Sequence, residues 1–446
     1  MSGLSASLLL ILAVFTATLP RRWAAVAIAA GALFLTQGHT LQVFGYAFHV
    51  PRILAYIAFA RVLIRKELLI HSLNRLDIAF LLVYAYTTTI LVFRPDEPIP
   101  LRFAKMADMM TGYLAFRALL QSPDELKDFL IRFSLLLIPF VALLMVERLT
   151  GRNPFAIIGG NTTAWLREGV ARCFGSFRHP SLMGSVGASF FPLFVALGLA
   201  QNTRKWGAIG AALCLGVVYL SNSGGPLSAL AMGVVAWAIW PLRKKMKHLR
   251  WAMVLGISLL ALIMKAPIWY IFARVSSITG GTGWHRSYLI EVSMRHFDRW
   301  WLVGLPISET RGWFPYNLAS TGGADMTNQF IALGLQGGIA AIVLFLVFLT
   351  QAYKFLGRAL ASLRSDTQRY SVENEYLLWG LGATVTVHIS NFLGITYWDQ
   401  FWLLWLLHMA AVSAITSYIL GQSSEIEQWP SPQQGPWVEN QGPHEA

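Results

Sequence analysis

NQFIALGLQGGIAAIVLFLVFLT, residues 328–350, runs without one charged side chain. A helix of about 20 apolar residues spans the hydrocarbon of a bilayer. The stretch is long enough, and its three amides, Asn328, Gln329 and Gln336, lie in its first half. It is predicted to be a transmembrane helix. Comparable apolar runs flank it at 4–19, 23–38, 50–64, 76–93, 102–120, 133–149, 183–200, 206–220, 225–241, 251–266, 376–394 and 401–420. The reading is an all-α fold, a polytopic transmembrane bundle of about 12–13 spans. A membrane β-barrel would show short alternating strands, and none recur.

Composition agrees. Hydrophobic residues make up 55% of the chain and charged residues 13%, against about 25% charged in soluble domains. Mean hydropathy is +0.53. A net charge of +13 could suggest nucleic acid. The Lys and Arg residues cluster in short inter-helix loops, however, which is a topology signal, so membrane lipids and no nucleic acid are expected as partners. Cys173 falls in a loop and Cys214 within a run, so no disulfide is expected. No metal-ligand spacing occurs, and no metal or cofactor is expected.

Basic segments alternate along the chain: Arg21–Arg22, Arg65 to Arg75, Lys127–Arg132, Arg204–Lys205, Arg243 to Arg250 and Lys354 to Arg369. The positive-inside rule assigns them to the cytoplasm. Leu4–Leu19 is followed, not preceded, by basic residues, the reverse of a secretory signal, so the N-terminus is expected outside. The tail, 421–446, has no Lys or Arg and is rich in Pro, Gln and Glu. It is expected to be disordered and cytoplasmic. Two long connections, 150–182 and 267–327, then lie on the outer face. The chain divides into N-terminal helices (1–149), a core with both outer loops (150–350), C-terminal helices (351–420) and the tail. Within the second loop, flexible Gly280-Gly281-Thr282-Gly283 precedes a helix predicted over Ser287–Trp301.

The first outer loop contains RCFGSFRHPSLMG, residues 172–184. Arg172, Arg178 and His179 put positive charge where topology avoids it. An anionic ligand explains that, and the arginine fork suits phosphate. A lipid-borne pyrophosphate would sit at this depth. The second loop adds His285, Arg286 and Arg295, with Arg295 and Arg299 on one face of the predicted helix. Any one of these arginines could instead snorkel to headgroups or pair with Glu168, Glu291 or Asp298. Asp325 and Thr327 can cap the span at 328, leaving the amides of Asn328 and Gln329 near its mouth. His388, Asn391, Asp399 and Gln400 lie at the same rim, where a His388–Gln329 hydrogen bond is the structural alternative. The expected acid–base groups are Asp325, His285 and His388. Expected substrate contacts are Arg172, Arg178, His179, Arg286, Arg295, Asn328 and Gln329. No phosphate-binding GxxxxGK[ST], HExxH or DxD pattern occurs in a suitable loop.

Three segments carry a family resemblance over roughly residues 145–350: Arg172 to Gly184, Trp284-His285-Arg286 with Trp301 to Gly304, and Asn328 to Gly337-Gly338. Together they resemble the O-antigen ligase and O-antigen polymerase superfamily. The resemblance implies a protein of the bacterial inner membrane, and with the charge-based topology the N-terminus is then periplasmic and the C-terminus cytoplasmic. It would transfer a glycan from undecaprenyl pyrophosphate to a saccharide or lipid-linked acceptor hydroxyl, without nucleotide sugar or metal. Arg172 and Arg286 would contact the pyrophosphate. Where the family has His before the Asn of the third segment, this chain has Thr327. That departure favours a polymerase or exopolysaccharide role over a ligase, with Asp325, His285 or His388 as base. A flippase for a lipid-linked saccharide, or an inactive scaffold, is the alternative.

Overall fold

The computed structural model describes residues 2–36, 38, 40–43, 46–68, 72–94, 98–274, 283–314, 322–366, 368 and 370–427 (backbone only at 40–43, 46–48 and 422–427). It is an all-α bundle, 78% helical. In chain order the elements begin with α1 (Gly3–Thr18), α2 (Arg21–Phe34), the hairpin β1 (Thr40–Val43)–β2 (Tyr46–His49) and α3 (Val50–Ile64). Then follow α4 (Arg75–Ile90), α5 (Ile99–Leu119), α6 (Pro123–Thr150) and the hairpin β3 (Trp165–Arg167)–β4 (Val170–Arg172). Next are α7 (Pro180–Leu199), α8 (Arg204–Ser221), α9 (Gly224–Ala238) and α10 (Met246–Ile263). The chain ends with α11 (Gly283–Arg295), α12 (Phe297–Trp300), α13 (Gln329–Ser365), α14 (Val372–Phe392) and α15 (Phe401–Glu427).

Each apolar run of the sequence contains a helix among the described residues. Among the described residues six helical stretches are long and apolar enough to cross a membrane: Arg75–Phe93, Pro123–Thr150, Pro180–Leu199, Trp240–Ile263, Gln329–Ser365 and Phe401–Gly421. These mark a membrane protein. The helix α15 is the axis of the bundle, with every residue from Phe401 to Thr416 buried. A helix apolar on all sides is stable only when surrounded, and α15 packs against α2, α4, α5, α7, α13 and α14. In contrast, α10 is apolar yet buries no residue. Lipid is the solvent that suits such a surface.

Small residues let α7 and α8 pack tightly. A side chain at Gly207 would meet the Gly198 backbone at 2.1 Å, and one at Gly187 would meet the Cys214 carbonyl at 2.3 Å. Backbones approach this closely in membranes only over small residues.

The basic loops collect at one end of the bundle, where carboxylates tie them together. Arg21 pairs with Glu125 at 2.8 Å, Arg22 with Asp128 at 2.7 Å, and Arg243 and Arg364 share Glu375 at 3.3 and 2.6 Å. The described parts of the loops at 150–182 and 267–327 lie at the opposite end, called here the loop end.

Three sequence expectations need correction. The helix predicted over Ser287–Trp301 breaks at His296 into α11 and α12. The Trp300 indole donates to the Ser293 carbonyl at 2.8 Å and buries in a small core with Leu289 and Val292, which folds the chain back. Arg295 and Arg299 therefore do not share a helix face; each pairs locally, with Glu291 and Glu309 respectively. The segment from Lys354, read as loop, is helical to Ser365, because Phe355, Leu356, Ala359 and Leu363 keep a buried stripe. The tail continues as helix to Glu427; residues 428–446, like Gly280, Gly281 and Thr282, lie outside the described residues.

The glycine pair of α13 is a joint. Gly338 has φ +68° and breaks the helical path with Gly337. The gap admits the segment after α12: Ile339 N–H donates to Trp301 O at 2.8 Å and Leu305 N–H to Leu335 O at 2.9 Å. Gly304, φ +84°, passes so close that a side chain would meet Leu335 O at 2.2 Å. These backbone bonds and close approaches hold the described part of the second loop on α13.

Candidate functional site

The first loop is pinned to the bundle by its backbone. Glu147, at the end of α6, accepts the N–H groups of Phe174 and Gly175, both at 2.9 Å. Asn153 donates to Gly175 O at 2.8 Å, and Cys173 N–H to Leu220 O at 3.1 Å. Gln400 donates to Ser176 O at 3.0 Å. Cys173 to Phe177 are buried as a result, so Arg172, Arg178 and His179 are fixed at the rim of a rigid plug. His179 caps α7: its Nδ1 accepts from Ser181 N–H at 3.1 Å, and Pro180 takes the first helical position.

The hairpin β3–β4 carries the cluster. Trp165 lies opposite Arg172. Arg167, two residues from Trp165, shares that face with Arg172, since strand side chains alternate. Glu168 and Gly169 form the two-residue turn, with φ 54° and 75°, the geometry that matches strand twist in tight hairpins. Arg172 Nη2 donates to Ser223 Oγ at 2.8 Å, while its Nε is buried without a partner.

Arg286 reaches the same place from α11. Its guanidinium lies over Gly394, where an added side chain would meet Cζ at 2.8 Å, and its Nη2 would be 3.3 Å from one on Gly225. Glycines at both positions make room for it. Burial first, and then the charge of Arg167, pull Arg172 and Arg286 down from their ordinary values. Both arginines therefore have another arginine as charged neighbour. Among the described residues neither Arg172 nor Arg286 forms an ion pair, while Asp399 pairs with Arg178, Glu291 with Arg295 and Glu309 with Arg299. Half-buried like charges held together by rigid backbone are unfavourable unless an anion joins them.

His179 sits at the edge of this cluster. Its ring is 5.6 Å from that of Trp165 and 6.3 Å from that of Trp398. Burial, then Arg172, push its pKa down to about 4. The ring is neutral at pH 7, and the cap bond makes Nδ1 an acceptor, so the proton is on Nε2. It is a hydrogen-bond donor here.

The remaining candidates separate. Arg178 faces Asp399 and lies 5.3 Å from the Trp398 ring. His285 stacks on Phe314 at 4.6 Å and interacts with exposed Asp325. Burial pulls His285 down, against the opposing charge of Asp325. The expected cap is corrected: Asn328, not Asp325 or Thr327, caps α13, accepting from Phe330 and Ile331 N–H at 3.0 and 3.2 Å. Its Oδ1 is thereby occupied. The His388–Gln329 bond is absent as well. Gln329 accepts Tyr397 N–H at 2.9 Å. His388, fully buried, bonds Tyr397 Oη at 2.7 Å and His408 at 3.0 Å, so it cannot touch a ligand directly. Arg295, exposed and paired with Glu291, has no link to the cluster.

Sequence reading did not single out Arg167. The signal was present: a Glu-Gly turn places Arg167 and Arg172 on one face of a hairpin. It also missed a cavity of about 480 Å³ at the loop end, among α3, α4, α5, α13 and α15, with Arg178, Gln329 and Tyr397 in its wall.

No protein-family model matches this chain, and no curated protein matches it.

Proposed function

We propose that this protein is a glycosyltransferase of the bacterial inner membrane. In this reading it threads the bilayer about thirteen times with the loop end periplasmic, and it transfers a glycan from a polyprenyl-pyrophosphate carrier to an acceptor hydroxyl. The observation that carries the reading is the gathering of Arg167, Arg172 and Arg286, from a hairpin and a separate helix: Arg172 and Arg286 each feel the charge of Arg167, and among the described residues neither forms an ion pair with a carboxylate. A pyrophosphate satisfies such a set with bidentate, charge-assisted bonds. His179 adds a neutral donor at the edge.

The chemistry follows from charge development. As the anomeric C–O bond to the carrier breaks, negative charge grows on the departing pyrophosphate. Arginines preorganised at that position stabilise it without reorganisation. The acceptor oxygen forms the new bond and gives up its proton to a base, for which exposed Asp325, with His285, is the expected group. Thr327 in the place of the family histidine favours a polymerase or exopolysaccharide role over transfer to lipid A–core.

The test uses a deletion strain carrying wild type or Arg286→Ala, with lipid-linked glycans extracted and surface polysaccharide run on a gel. Single-unit carrier-linked glycan without long chains supports the polymerase reading. Long carrier-linked chains missing from the surface acceptor would make it a ligase. Wild-type pools and polysaccharide in the Arg286→Ala strain, at equal protein level, would overturn the proposal.

A further inference from the structure

The cavity at the loop end has the chemistry of a saccharide site. Tyr397, Trp398, Trp402 and Trp405 supply aromatic faces, and Arg52 and Arg102 supply cationic groups. Arg102 is buried, with Nε unpartnered, while Arg52 is held by Asp108 at 2.7 Å. At about 480 Å³ the space is that of a small-molecule site. It adjoins the arginine cluster: Trp398, which lines it, also meets Arg178 and the His179 ring.

Behind its wall runs a polar chain in an otherwise apolar interior. Tyr397 Oη is 2.7 Å from His388 Nδ1, and His388 Nε2 is 3.0 Å from His408 Nδ1. Both histidines are fully buried, and His408 Nε2 has no partner. Gln329 fixes the start of the chain by accepting Tyr397 N–H. Ionisable groups inside a membrane bundle are costly and mark function by default.

We propose that this cavity is the acceptor site and that Tyr397, backed by His388 and His408, takes the proton of the acceptor hydroxyl. The inference rests on the glycosyl-transfer reading and replaces Asp325 or His285 as the base. The step balances. The acceptor oxygen bonds the anomeric carbon as the bond from that carbon to the pyrophosphate oxygen breaks, and the pyrophosphate leaves with the electron pair. The acceptor proton passes to Tyr397 Oη as the phenol proton passes to His388 Nδ1. The proton on His388 Nε2 can move on to His408 Nδ1. After the glycan leaves, the proton returns through His388 Nδ1 to Tyr397 Oη as the phenol gives its own proton to water entering the cavity.

The experiment is steady-state transfer by purified protein in lipid nanodiscs, with a polyprenyl-diphosphate-linked glycan as donor and a second lipid-linked glycan as acceptor. Positioned acid–base groups contribute about 100-fold or more to rate. Tyr397→Phe and His388→Gln are each expected to lower kcat about 100-fold, with the KM for donor unchanged. Trp398→Ala, at a side chain 38% exposed, is expected to raise the KM for acceptor while sparing kcat; it keeps the test valid if either buried variant fails to fold. Transfer within about twofold of wild type in Tyr397→Phe, or unchanged acceptor KM in Trp398→Ala, would overturn the acceptor site. Transfer by wild type with loss in Arg286→Ala but not in Tyr397→Phe would overturn this inference alone. No transfer by wild type, with no binding of donor, would overturn the glycosyl-transfer reading itself.

Discussion

The carboxylate of Asp399 accepts the backbone N–H of Arg178 at 2.7 Å and faces the guanidinium of the same residue at 3.6 Å. One side chain thereby fixes the first outer loop to the turn between α14 and α15, and it sits between the arginine cluster and the cavity. Asp399 holds a left-handed backbone, φ 59°, which Asp and Asn tolerate better than most residues.

That contact gives a pH prediction. Burial pushes the Asp399 carboxyl up to about 6, although Arg178 opposes it. An acid whose native pKa exceeds its unfolded value of 3.8 holds its proton longer in the native state. Its contribution to stability therefore falls as pH rises from about 4 to 6. His179 has the opposite sign: its native pKa of about 4 lies below its ordinary 6.5, so its contribution rises across that window. Asp399→Asn keeps the backbone conformation and should make the melting temperature climb more steeply with pH between 4 and 6. His179→Asn keeps a capping side chain and should flatten or reverse the climb. Thermal melts in detergent from pH 4 to 7 read both slopes, and two slopes identical to wild type would refute the assignment.

Gly394→Ala isolates the placement of Arg286. The new methyl would lie 2.8 Å from its guanidinium carbon. The clash is with the end of a flexible side chain, so the arginine moves and the fold holds. Melting temperature should stay within about 2 °C of wild type, while affinity for a polyprenyl diphosphate falls about tenfold, equivalent to about 1.4 kcal/mol. Equal affinity would mean that the position of Arg286 is not used.

Glu147→Gln tests the plug. The carboxylate accepts two backbone N–H groups, of Phe174 and Gly175. A glutamine has one acceptor oxygen and an amide that must face a second donor. The substitution should destabilise the protein by about 1–3 kcal/mol and speed proteolytic cleavage within 165–180. A melt and a protease time course measure both.

Gly338→Ala tests the joint in α13. An added methyl would lie 2.3 Å from Leu302 O and 2.5 Å from Trp301 O, on a backbone with φ +68°. Strain of this kind costs about 1–3 kcal/mol. The segment from Trp301 to Leu305 should detach, seen as faster hydrogen exchange of the Leu305 and Ile339 amides.

The sequence showed most of the fold because bilayer-length apolar runs are a local property. It showed less of the site, for physical reasons that differ by residue. The strands of the 165–172 hairpin are too short for alternation to stand out, so Arg167 was passed over although its turn was visible. Asp325, Thr327 and Asn328 are all competent caps, and spacing alone does not choose Asn328. The break at His296 depends on Trp300 burying against a small tertiary core. The cavity draws on α3, α4, α5, α13 and α15, and Tyr397 lies in an aromatic segment, TYWDQF, that reads as interfacial anchoring. Its role depends on His388 and His408, which only helix packing brings to it.

The most direct test of the central claim is the affinity of purified protein in nanodiscs for polyprenyl diphosphate and for polyprenyl monophosphate. Wild type should bind the diphosphate more tightly. Arg167→Ala, Arg172→Ala and Arg286→Ala should each lose at least about tenfold for the diphosphate and little for the monophosphate. Equal affinity for the two lipids in wild type, or diphosphate binding unchanged in all three variants, would contradict the account.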